Sequence, residues 1–194
     1  LDLALAHRAG YNAMDYHEWL VGWIYYLPDF GDSLAADLFP PESYRRLGWG
    51  DEGLYVHGRD TLAAIASSRP EGLSPREYLL QRHVLDDPVK HLLVSLLLAW
   101  RGAFIGQYWG LLAWLLVPLA WRWLPPTSRL PFLLVLTPPL ALLLAQSMIS
   151  VSLGRYNISL IAPLVLVLTV TFSGLVERLR VGLLGTRPSE RTDS

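Results

Sequence analysis

Three stretches decide how this chain is read: GAFIGQYWGLLAWLLVPLAW (residues 102–121), LPFLLVLTPPLALLLAQSMISVSLG (130–154) and YNISLIAPLVLVLTVTFSGLV (156–176). None contains a charged side chain, and arginines bracket them at Arg101, Arg122, Arg129, Arg155 and Arg178. A bilayer core of about 30 Å takes roughly 20 apolar residues to cross as a helix. Backbone polar groups find no partner in hydrocarbon, so helices are the economical solution. The expected fold class is therefore an all-α integral membrane protein. About three transmembrane helices (about 103–121, 130–151 and 156–176, within a membrane region 91–180) follow an extracytoplasmic or interfacial helical region, 1–90. A tail, 181–194, is expected to be disordered after Gly182.

Working outward, the net charge of −1 hides an asymmetry: residues 1–90 carry 14 acidic and 8 basic side chains, residues 91–194 carry 3 and 8. The first half reads as water-facing or interfacial, the second as membrane with basic flanks. Arg122 and Arg129 lie in the first loop, and Arg178, Arg180, Arg187 and Arg191 in the tail, against Arg155 alone in the other turn. Positive charge favours the cytoplasmic side. Loop and tail are then cytoplasmic, residues 1–100 lie outside, and the setting is a bacterial inner membrane. Cysteine is absent, which removes disulfides and cysteine–zinc sites. Leu1 is not a methionine and no leader pattern follows it, so a C-terminal fragment of a longer protein is expected.

Within the first half, residues 1–27 read as helical. Trp19, Trp23 and Tyr26 form a stripe suited to an interface or to membrane helices beyond this chain. Helices are expected over 33–39, 55–67 and 74–85, the last opened by a Ser74-Pro-Arg-Glu77 capping box. Asp86-Asp87-Pro88 caps a further helix through Trp100. If that helix runs on into the first span, Arg101 is a costly intramembrane charge and a site candidate; if it breaks at Gly102, Arg101 flanks the interface.

Short motifs are weak. Gly48-Trp-Gly-Asp-Glu-Gly53 has the letters of a nucleotide loop, but Asp51 and Glu52 would repel a pyrophosphate, so it reads as a turn. Gly31-Asp-Ser-Leu34 resembles the nucleophile block of GDSL hydrolases, whose Asp-x-x-His is missing here. Asn157-Ile-Ser159 is a formal sequon at the mouth of a span. His7, His17, His57, His83 and His91 show no metal-ligand spacing, so nothing supports a divalent metal. Asp15 and Glu18 share a helix face and offer a base or a cation ligand, with a solvated face the simpler account. Arg155-Tyr156 opens the third span, where free N–H groups, the helix dipole and a guanidinium suit a lipid phosphate; a snorkelling arginine is the plain alternative.

Gly154-Arg-Tyr-Asn-Ile-Ser-Leu-Ile-Ala-Pro163 and the apolar run after it resemble the late transmembrane region of the GT-C glycosyltransferases, closest to bacterial relatives of protein mannosyltransferases and aminoarabinose transferases. The likeness covers roughly residues 91–176 and includes Arg101-Gly102. It implies an enzyme moving a sugar from a polyprenyl-phosphate donor to an acceptor outside the cytoplasm. The family's catalytic carboxylate sits in an early outer loop not recognisable here, so the base stays unassigned. Arg155, with Tyr156, is carried over as a donor-phosphate contact, and Arg101 joins them as a lipid-phosphate candidate. Membrane lipid, a lipid-linked sugar and the missing N-terminal part are the expected partners; nucleic acid is not. The competing class is a non-enzymatic membrane subunit or scaffold that binds a partner through its acidic outer region.

Overall fold

Asp15 and Glu18 spend their carboxylates on a helix start. In the computed structural model, which describes residues 2–68, 72–151 and 157–184, Asp15 Oδ1 accepts from the Glu18 N–H at 2.7 Å and Glu18 Oε2 accepts from the Asp15 N–H at 2.9 Å. Such a cap stabilises a helix by about 1 kcal/mol. It divides the apolar N-terminus into α1 (Asp2–Asn12) and α2 (Tyr16–Tyr25). Glu18 is then buried against Arg46 at 3.2 Å. Both carboxylates serve the cap, and the solvated face expected for them holds for Asp15, which is exposed, and not for Glu18, which is buried.

Short helix α3 (Gly31–Leu38) and two 3₁₀ turns, Pro41–Ser43 and Arg45–Leu47, lead to α4 (Leu54–Ser68). The Ser74–Glu77 capping box forms as expected and opens α5 (Pro75–Leu80), which runs into a π-helical turn, Gln81–Leu85. Asp87 caps α6 (Pro88–Ala103) by accepting from the Lys90 N–H at 2.9 Å. Helix α1 packs on α4 with Ala6 and Gly10 against Gly58 and Leu54, an antiparallel crossing close enough for backbone contact. The aromatic stripe of α2 lies on α6. The Trp19 indole N–H donates to the Leu93 carbonyl at 2.9 Å, and the Trp100 indole N–H to the Trp23 carbonyl at 3.0 Å.

Helices α7 (Tyr108–Trp123), α8 (Pro126–Ile149) and α9 (Ile161–Leu184, preceded by the 3₁₀ turn Ile158–Leu160) complete the chain. Two segments, Pro126–Ile149 and Ile158–Val181, each have 24 residues and mean hydropathies of 2.0 and 2.2. At about 1.5 Å per residue each exceeds the bilayer core. Helix α8 remains one helix through Pro131, Pro138 and Pro139. The stretch 103–121 is different. Helices α6 and α7 meet at 106°, with Gly106 and Gln107 at φ values of +77° and +57°, and the 16 residues of α7 are too short to cross alone. The two can count as one broken span or a re-entrant pair, giving two to three candidate crossings. The Trp114 indole N–H ties the elbow by donating to the Ala103 carbonyl at 2.8 Å, a group left open at the end of α6. Helix α7 packs on α9 and α6 on α8. Among the described residues there is no strand, so the all-helical expectation stands. Helix α9 continues through Leu184, so residues 181–184 of the tail expected to be disordered are helical; the rest of that tail falls outside the described residues.

Candidate functional site

Arg101 ends α6 just before the elbow, and the α2 end and the Gly48–Gly53 turn close over it. Its guanidinium donates to the Tyr11 hydroxyl at 2.6 Å. Its carbon lies 4.4 Å from the Trp49 ring centroid, 4.8 Å from that of Tyr26 and 5.9 Å from that of Tyr11. Aromatic faces attract a cation without neutralising it. Among the described residues no carboxylate forms an ion pair with Arg101. Burial, and then Tyr11, holds the Tyr26 phenol well above its ordinary range. Burial and Asp32 raise Tyr25, against the pull of Arg101. These tyrosines therefore stay neutral near pH 7 and leave the positive charge of Arg101 without an ion-pair partner among the described residues.

Arg101 borders a cavity of about 570 Å³ whose wall also includes Tyr25, Tyr26, Trp49, Phe104 and Gln107, with Asp29 and Asp32 at its rim. Asp29 (φ +62°) and Gln107, the two non-glycine residues in the left-handed region among those described, both line it. Asp32 is engaged by the Ser33 N–H at 2.7 Å. An anion is repelled by these carboxylates and attracted by Arg101, so within the cavity its favoured seat is against Arg101. On the other side of Phe104 runs an apolar groove of about 360 Å³ between Trp23, Leu96, Trp100, Trp114 and Leu140. Phe104 borders both spaces and packs edge-on against Trp100 at 4.5 Å. A polar cavity with one unpaired cation and an adjoining apolar groove suit an amphiphile with an anionic head.

The other expectations divide. Arg155 and Tyr156 lie outside the described residues. Helix α6 does end close after Arg101, at Ala103, which is the broken-helix alternative. Ser33 Oγ–H donates to Asp32 Oδ1 at 3.4 Å, an arrangement with no described histidine in it. Asn157 is buried, which removes it as a glycosylation acceptor. Gly48–Gly53 is a turn whose Trp49 roofs Arg101. His7 Nδ1 sits 2.9 Å from the Tyr55 carbonyl, with its ring stacked on Tyr55 at 3.7 Å. Among the described residues no group of three or more His, Asp or Glu gathers around a common point. The cage of Tyr11, Tyr26 and Trp49 escaped sequence reasoning, because Tyr11 lies 90 residues from Arg101.

Comparison with protein-family models, with curated proteins and with solved structures gives no match.

Proposed function

We propose that this chain is the lipid-phosphate-binding part of a membrane glycosyltransferase that moves a sugar from a polyprenyl-phosphate donor to an extracytoplasmic acceptor. The observation that carries the reading is Arg101: a half-buried guanidinium with no described counter-ion, lining a cavity of about 570 Å³ that shares Phe104 with an apolar groove. In this reading the donor phosphate sits against Arg101 and Trp49, and the isoprenoid chain runs past Phe104 into the groove. As the sugar leaves, charge grows on the phosphate, and a guanidinium held in place by Tyr11 and the aromatic rings stabilises it. No proton acceptor is assigned, and the acceptor hydroxyl meets its base elsewhere.

The basic ends support the orientation proposed with it, tail and α7–α8 loop cytoplasmic. Arg178 lies 4.7 Å from the Trp123 ring and Arg129 5.3 Å from the Trp121 ring, so the loop cations and a cation of α9 share one end with an aromatic girdle.

The test is a titration of the full chain in nanodiscs with farnesyl phosphate, farnesol and inorganic phosphate. Farnesyl phosphate is expected to bind far more tightly than either part. Arg101→Gln removes a charge-assisted contact of about 1.5–3 kcal/mol, weakening it roughly 10- to 150-fold. Equal binding of farnesol, or an unchanged affinity in Arg101→Gln, would remove Arg101 from the mechanism.

A further inference from the structure

Helix α6 is apolar nearly all round: its inner side buries Val94, Leu97, Leu98 and Ala99 in the core. Its polar residues point inward: His91 is 6% exposed and Ser95 3%. They meet Arg8 of α1, 1% exposed, whose guanidinium donates to the His91 carbonyl at 2.7 Å and to Ser95 Oγ at 2.8 Å. The opposite side carries Val89, Leu92, Leu93 and Leu96, 68%, 51%, 37% and 42% exposed. A helix at an aqueous surface keeps its outer face polar, and a contiguous exposed apolar strip on a protein marks a contact surface.

Three observations say what covers it. The strip adjoins α8, on which α6 packs and whose own outer side exposes Leu130, Leu133, Leu134 and Leu142 on a segment long enough to cross a bilayer. The bend of 106° turns α6 across the direction of α7, which packs on α9, the other segment long enough to cross. At its edge, Tyr16 of α2 is exposed, and Trp19 is pinned by its indole N–H to Leu93, amphipathic rings of the kind that gather at the headgroup level. Asp86, Asp87 and Lys90 then mark the polar end.

We propose that the outer face of α6, with the exposed edge of α2, lies in the lipid of the bilayer. The membrane then reaches beyond the long apolar segments into the acidic first half. Helix α6 would rest near the plane of one leaflet, its leucines among acyl chains and its polar side turned to Arg8.

The chain has no cysteine, so single-cysteine variants of the full protein carry one nitroxide each in nanodiscs. Leu92→Cys and Leu96→Cys test the face, Leu134→Cys reports the outer side of α8, and Asp51→Cys reports an exposed turn. All four positions are exposed, so the label disturbs no core. Labels at 92 and 96 are expected to collide with oxygen at least several-fold more than with a water-soluble nickel chelate, with the ratio reversed at 51. A chelate-dominated value at 92 and 96 overturns the proposal by placing the face in water. Low values for both reagents there overturn it by placing the face under protein.

Discussion

Gly10→Ala tests the tightest crossing in the structure, because two physical effects on it have opposite signs. In an isolated helix, replacing a central glycine by alanine stabilises by about 1 kcal/mol. Here a Cβ on Gly10 would fall 2.6 Å from the Gly58 nitrogen and 2.8 Å from its Cα, and closer still to the Leu54 carbonyl oxygen. Unstrained carbon contacts lie at about 3.5–4.0 Å, so α1 and α4 must part by roughly 1 Å. The obstacle is backbone on a facing helix, with no flexible side chain to swing away.

Overpacking of this kind costs about 1–3 kcal/mol. Parting the helices also loosens the bond between His7 and the Tyr55 carbonyl, about another 1 kcal/mol. After the helix-propensity gain, the variant should be less stable by about 2 kcal/mol. Unfolding of the full chain in mixed micelles, followed by tryptophan emission, measures it. The next residue, Tyr11, orients Arg101, so farnesyl phosphate affinity should fall as well. A Gly10→Ala variant as stable as the parent, or more so, would refute the close crossing.

Three further outcomes are expected. Arg8→Met should leave stability unchanged or raise it by about 1–3 kcal/mol, since burial, with no carboxylate partner among the described residues, already lowers the guanidinium to about 9, two of its nitrogens are buried without a bond there, and Ser95 Oγ–H donates to the His91 carbonyl at 2.7 Å without it; a large loss in the same unfolding assay would reveal a counter-charge. Trp49→Ala removes the ring nearest the Arg101 carbon and should weaken farnesyl phosphate binding roughly 2- to 30-fold, from about 0.5–2 kcal/mol of cation–π attraction, while leaving farnesol unchanged. The bonds from Ser74 hold the Glu77 carboxyl below its ordinary 4.5; a depressed carboxyl stabilises the fold above that ordinary value and loses the effect as pH falls through its lowered one, so amide protection factors in α5, taken against the intrinsic exchange rate at each pH, should fall on acidification in the parent and change little in Glu77→Ala.

How far the sequence could be read depended on whether a signal was local. Ser74–Glu77 and Asp87–Pro88 announce helix starts within four residues, and both form. Asp15–Glu18 carries the same pattern, yet its carboxylates also suit chemistry, and only the bonds back to the Glu18 and Asp15 amides decide between them. The stretch 102–121 shows the limit of hydropathy. Absence of charge says that residues can enter lipid, and nothing about direction; the turn at Gly106 and Gln107 is a backbone event. Arg101 was visible as a flank, whereas Tyr11, Tyr26 and Trp49 come from three distant segments and share no spacing with it.

The acidic first half carries the same lesson one step further. Its charge suggested a water-facing or interfacial region, and many of those charges are spent on caps and ion pairs. Asp15, Glu77 and Asp87 bind helix starts, while Arg45–Glu52, Arg46–Glu18, Arg76–Asp2 and Arg82–Asp86 are paired. What remains outward includes Tyr16 and Leu20 on α2 and Val89 at the start of α6. Net charge counts side chains and ignores which way they face, so a segment can be acidic by composition and apolar over much of the surface it offers. Arg101 reverses the case: it lies in the apolar second half, yet every ring that holds it belongs to the first. A ligand at Arg101 would therefore couple the two halves, and its binding should protect the α1–α2 amides as strongly as those of α6.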